Sequence, residues 1–268
     1  MTLGPAVRVD PDRRLAVEDY LRVLRTEGAR VAGAARSGDL DAPVPCCPGW
    51  VLRDVVAHLG WVYRWVTLTV REQRRRAPGH ALREALTDPD PTDGSGLIER
   101  FVRAHAELVD ALVVAPPDLA CWTPWPARDG RAFWLRRQVH ETLIHRTDVD
   151  NALAASLRDG TDLDPRLAAD GVDELVRGFI HRVAHRLRHP TPRTLGLYAT
   201  DTGDQWWARI GPGPPRFGLG PTSRPADTMV AARAGQLFLL LWNRRDSDGL
   251  DVRGDHDTLA AWRHGANR

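Results

Sequence analysis

The 268-residue sequence contains no lysine; all 37 of its basic residues are arginine. Schiff-base chemistry through a lysine amine is therefore excluded, and an anionic substrate would have to be held by arginines, whose planar forks grip carboxylates with two parallel hydrogen bonds. Lysine-free composition also fits codon bias in a high-GC genome. Cysteine is scarce: there are three, and two of them (Cys46 and Cys47) are adjacent. That is no disulfide framework, and it suggests a reducing, cytoplasmic setting. There is no G-x-G-x-x-G and no P-loop, and Gly211–Pro215 is too rich in proline to cradle phosphate, so no nucleotide cofactor is implied. No apolar run approaches the roughly 18–20 residues of a membrane span, and the polar Met1–Arg14 has no apolar signal core. Charge of neither sign dominates, with 37 basic against 35 acidic residues. The cluster Arg71-Glu72-Gln73-Arg74-Arg75-Arg76 stands where a helix should end, and cations there complement the helix dipole. It lacks interleaved aromatics, so a nucleic-acid partner is not expected.

The length exceeds that of a usual single domain and predicts two. Helical periodicity is expected over residues 15–35, 50–75, 97–114 and 132–155, with a short helix at 81–86. These four amphipathic helices would form a bundle. Gly160 and Pro165 mark a boundary, giving domains 1–158 and 159–268. A fifth helix is expected at 166–188. The period then changes to two. Residues 193–199 and 205–210 read as a hairpin across Asp201-Thr202-Gly203-Asp204, followed by a strand at 227–231, a buried helix at 235–244, a strand at 250–252 and a last helix capped by Asp255. The fold class is thus a helical bundle followed by a smaller α/β domain.

The most informative segment is His140-Glu141-Thr142-Leu143-Ile144-His145. It resembles the zinc motif H-E-x-x-H but is one residue longer. At about 100° per residue, Glu141 and His145 share a helix face, whereas His140 points about 140° away from His145. The pair that can converge on one ion is a carboxylate and an imidazole. On the second helix, Val51, Val55, His58, Val62, Trp65 and Thr69 form one stripe, and a histidine within an apolar stripe must bond to something. His58, Glu141 and His145 are therefore candidate ligands, since two histidines, a carboxylate and water make a recurring open zinc set. The same residue types also suit other divalent metals. Asp148 and Asp54 are candidates for supporting the ligands. His105 reads as structural. His181, His185 and His189, spaced four apart and interleaved with arginines, read as a solvated basic face. Trp61, Trp65, Trp122, Trp125 and Trp134 should gather near the bundle mouth, mostly as core.

Val44-Pro45-Cys46-Cys47-Pro48-Gly49-Trp50 with Arg53-Asp54-Val55-Val56-Ala57-His58-Leu59, and His140–Asp148, resemble the signature segments of the mycothiol-dependent maleylpyruvate isomerase family. So do Tyr198–Gly203 with Trp206, Leu239-Leu240-Leu241-Trp242-Asn243-Arg244 and Val252-Arg253-Gly254-Asp255. The resemblance runs from about Val17 to Trp262. It implies a DinB-like four-helix bundle followed by a sterol-carrier-like α/β domain, with a divalent metal, most simply Zn2+, on His58, Glu141 and His145. It also implies mycothiol as cosubstrate. Two departures stand out. Val51 replaces the usual Thr or Ser helix cap, and Asn243 replaces the glycine of the Leu-rich arginine segment.

The reaction implied is activation of the thiol at the metal, addition to a conjugated double bond, rotation and expulsion. Arg244 would hold a substrate carboxylate or stabilise the enolate. Because Arg244 falls in the second domain, the resemblance implies an active site completed by both. The substrate expected is small and anionic, and the protein a monomer or small homo-oligomer. Two alternatives stay open: a hydrolase or lyase using metal-bound water without thiol, and a non-catalytic metal-binding module.

Overall fold

The computed structural model describes residues 15–87, 90, 92–222 and 224–266. The expectation for Met1–Arg14 lies outside them. The chain divides into two compact units, one comprising Ala16–Arg158 and the other Asp159–Arg268.

The first unit is built on α1 (Val17–Ser37), α2 (Leu52–Arg71), α4 (Gly94–Val114) and α5 (Gly130–Ala154), with a short α3 (His80–Ala85) in the long connection between α2 and α4. α1 and α2 each pack on both α4 and α5. Val51 cannot cap α2 through its side chain. Asp54 supplies the other half of the arrangement, its carboxylate accepting the Val51 N–H at 2.9 Å, so the helix starts at Leu52 without the usual hydroxyl. α5 begins two residues earlier than its periodicity suggests, because Asp129 accepts the Ala132 N–H. α5 also departs from the amphipathic pattern expected of it. From Arg137 to Val149 every residue but Arg146 is buried, so this helix is enclosed on nearly all sides.

Close helix approach in this unit depends on Gly28. A Cβ there would fall 2.2 Å from Nε2 of His105. That imidazole bonds the Leu24 carbonyl at 2.9 Å and stacks on Phe101. Burial lowers its pKa, so His105 is a neutral core residue, in keeping with the structural reading.

In the second unit, α6 (Pro165–Arg177) ends much sooner than the expected residue 188. Gly178 breaks it, and two 3-10 turns follow at Phe179–Arg182 and Ala184–Arg186. His181, His185 and His189 therefore share no helix face. The sheet contains β1 (Arg193–Ala199), β2 (Gln205–Ile210), β3 (Arg216–Leu219), β4 (Thr228–Ala232) and β5 (Asp251–Gly254), in the order β3-β2-β1-β4-β5. β1 and β2 pair antiparallel, with Leu197 opposite Trp206 and Leu195 opposite Ala208. β4 lies parallel to β1. The buried members of these strands include Leu195, Leu197, Trp206, Ala208 and Val230. They form a core with α6, α7 (Ala234–Leu241) and α8 (His256–Ala266), all of which touch the sheet. Asp255 accepts the Asp257 N–H at the start of α8. β3 was not expected.

Asn243 follows α7 with φ of 58°. This is the left-handed region, which asparagine tolerates better than other non-glycine residues. Asn243 can therefore hold a backbone conformation that otherwise favours glycine. Its amide also bonds the Arg263 carbonyl at 2.9 Å. We expect Asn243→Val to lower stability by about 1–3 kcal/mol and Asn243→Gly to change it much less, measured by chemical denaturation. Equal losses in the two variants would assign the effect to the Arg263 contact rather than to the backbone.

Candidate metal centre

α2 and α5 cross so that the three side chains singled out by spacing meet. His58 Nε2 lies 3.1 Å from Glu141 Oε1, and His145 Nε2 lies 3.5 Å from the same oxygen. The ligand atoms of all three are within 4.8 Å of one another. Two donors each about 2.1 Å from a tetrahedral zinc would stand about 3.4 Å apart, so the observed separations suit a common ion with little movement. His140, as its helical angle requires, is not part of this group, although it too is buried.

The groups behind these donors are equally ordered. Asp148 Oδ2 lies 2.8 Å from His145 Nδ1. A carboxylate in that place fixes the ring's orientation and leaves Nε2 to face Glu141, the usual support for a metal-ligating imidazole. Arg137 Nη2 donates to Glu141 Oε2 at 2.5 Å. This holds the outer oxygen and leaves Oε1 for the centre. Trp50 stacks on His145, with rings 10° apart and centroids separated by 6.3 Å, and it also packs against His58 at 5.4 Å. Trp61 lies beyond His58, and Trp65 touches Trp61, Trp122 and Trp134. Trp61, Trp65, Trp122 and Trp134 thus form the expected cluster, which begins next to the centre, but of the five tryptophans only Trp134 is buried and the others are half-buried, so most of them are not core.

Of the two supporting candidates, Asp148 serves the centre and Asp54 serves the helix start. Arg137 was not anticipated, although it lies four residues before Glu141 on the same helix face, where such pairs meet. Arg244 follows α7 in the second unit. Its backbone N–H donates to the Leu239 carbonyl at 2.7 Å and its Nη1 to the Trp242 carbonyl at 2.9 Å.

Electrostatics match this geometry. Burial alone would raise the Glu141 pKa, but Arg137 and the hydrogen bonds from His145 and His58 hold it well below the usual carboxylate range. Burial alone would depress His145, but the Asp148 and Glu141 carboxylates outweigh it and lift the imidazole to about 9. In the metal-free protein these shifts act in opposite pH ranges. His145 stabilises the fold fully below its ordinary 6.5 and loses that contribution as pH rises through about 9. Glu141 contributes above its ordinary 4.5 and loses the contribution only as pH falls well below that value. We therefore expect chelator-treated protein to melt at progressively lower temperature from pH 6.5 to 9. A melting temperature that rises over this interval would contradict the His145–Asp148 assignment.

Family models for the mycothiol maleylpyruvate isomerase N-terminal domain and for the C-terminal domain of the same proteins match residues 21–150 and 166–261. The chain belongs to this family. The crystal structure of a mycothiol-dependent maleylpyruvate isomerase is similar, with a TM-score of 0.64 and 14% identity, covering 89% of this chain and 93% of that one. A point mutant of that enzyme matches with the same TM-score at 13% identity and the same coverage. No curated protein sequence matches. At such low identity the solved structures speak for the fold, a helical N-terminal domain followed by an α/β C-terminal domain. No helix among the described residues is long and apolar enough to cross a membrane.

Proposed function

We propose that this family member is a metal-dependent, mycothiol-using isomerase or S-transferase acting on a small electrophile. His58, Glu141 and His145 would hold the ion, with Zn2+ the simplest choice for a two-histidine, one-carboxylate set. The observation that carries the reading is the convergence of these three side chains, backed by the Asp148 carboxylate on His145 Nδ1. A divalent ion held there would favour thiolate over thiol at neutral pH.

The rest falls to the protein's own groups. Asp148 keeps His145 in the tautomer that presents Nε2. Arg137 keeps Glu141 ionised and turned inward. Trp50 packs over both imidazoles and restricts their rotation. Arg244, the residue type suited to a carboxylate, would orient an anionic substrate. Arg244→Ala should therefore raise KM while leaving the metal content unchanged.

The test is a screen of metal-replete protein against activated alkenes, including maleylpyruvate, and against leaving-group substrates, with and without mycothiol. Turnover that appears only with thiol supports the proposal. Equal turnover without thiol would replace it with water-based hydrolysis or lyase chemistry, and the absence of turnover throughout the panel would favour a binding module.

A further inference from the structure

Asp148 is the meeting point of two groups. One of its oxygens serves His145. Against the same carboxylate stand the adjacent thiols of Cys46 and Cys47, with Cys46 Sγ 3.1 Å from Oδ1 and Cys47 Sγ 3.7 Å from Oδ2, the oxygen that also faces His145. One ligand atom from each of these three residues lies within 4.8 Å of the others. The cysteines come from the turn before α2, where Cys47 N–H bonds the Val44 carbonyl and Trp50 N–H bonds the Cys47 carbonyl. Both are half-buried, so ions can reach them, whereas Asp148 is fully buried.

The geometry points to a second cation site, for a soft, thiophilic ion, formed by Cys46 Sγ, Cys47 Sγ and the Asp148 carboxylate. It uses none of the three donors of the histidine centre, and it does not rest on the reaction proposed above. A sulfur about 2.3 Å and an oxygen about 2.1 Å from a tetrahedral ion would stand about 3.6 Å apart, and the two observed S···O separations bracket that value. In addition, the buried Asn151 amide donates to Cys46 Sγ at 3.7 Å. An N–H aimed at sulfur supports a thiolate, as the outer contacts of metal thiolates do. A thiol sulfur accepts an N–H only weakly, and a metal-bound thiolate accepts it better. Thiolate donors favour Zn2+, Cd2+ or Cu+ over Mg2+ and Ca2+. On binding, the ion replaces the two S–H protons, which are released to solvent, so no oxidant is needed. Because Asp148 supports both sites, occupation of one would be felt at the other.

The experiment uses the full-length, chelator-stripped protein titrated with Cd2+. Two ions should bind per chain, one of them with near-ultraviolet thiolate-to-cadmium absorption. Cys46→Ser/Cys47→Ser should bind one ion without that absorption. His58→Ala should keep the absorption and lose the other ion, so failure of the histidine centre and failure of this site are read separately. Should the double variant not fold, the wild type decides: Cd2+ should protect Cys46 and Cys47 from alkylation at least 10-fold, read by peptide mass spectrometry, with Cys121 unaffected. One ion per chain without thiolate absorption, or alkylation rates unchanged by Cd2+, would overturn the proposal.

Discussion

Replacing His58 with alanine is expected to weaken divalent-metal binding at the histidine centre by at least about 100-fold. It removes one of three donors, whereas loss of a merely supporting group already costs about 10–100-fold. Calorimetric titration of Zn2+ into chelator-stripped protein lacking Cys46 and Cys47 isolates this centre. Thiol-dependent turnover should fall in parallel. The fold should survive, because His58 is the most exposed of the three side chains, at 20%, and its α2 neighbours Val55, Leu59 and Val62 remain buried in the core. Full metal occupancy in the variant would remove His58 from the ligand set. Asp148→Asn should weaken the same site less, by about 10–100-fold, because it disturbs the His145 tautomer without removing a donor.

Arg137→Ala should have the largest effect on stability. Arg137 and Glu141 are a buried pair 2.5 Å apart, with side-chain exposures of 4% and 9%. Removing the cation leaves a carboxylate in the interior beside the His58 and His145 imidazoles, and breaking such a pair costs about 3–5 kcal/mol. An ion next to Oε1 compensates the same charge, so the penalty should shrink when Zn2+ is present at saturating concentration. Urea denaturation of wild type and variant, each with and without metal, measures both. A loss below about 1 kcal/mol in the metal-free protein would show that Glu141 does not depend on Arg137. An equal loss in both states would show that the ion does not sit on Glu141.

How much of this was visible in the sequence depended on how local each feature is. Glu141 and His145 lie one helical turn apart, and His58 interrupts an apolar stripe, so both halves of the centre follow from spacing. Asp148, three residues past His145, is a local partner of the same kind. Cys46 and Cys47 reach Asp148 across more than 100 residues, and no periodicity reports such a contact. Their joint role with Asp148 therefore emerged only from the fold. α5 illustrates a different limit. A helix buried nearly all round has no polar face, so its pattern is weak even though its length is plain. β3 is a four-residue strand with no fully buried member, so it lacks the alternation that marked β1 and β2. The apolar periodicity of the fifth helix continues past Gly178, but the chain there tightens into 3-10 turns and the helix ends at Arg177.

The most direct test of the central claim is spectroscopic. Protein carrying Cys46→Ser and Cys47→Ser is loaded with one equivalent of Co2+ and then titrated with mycothiol. If His58, Glu141 and His145 hold an ion that receives the thiol, a thiolate-to-cobalt charge-transfer band should grow to saturation with one mycothiol per chain and be absent when His58 is alanine. A Co2+ spectrum unchanged by saturating mycothiol, in protein that still turns over substrate with that thiol, would contradict the account.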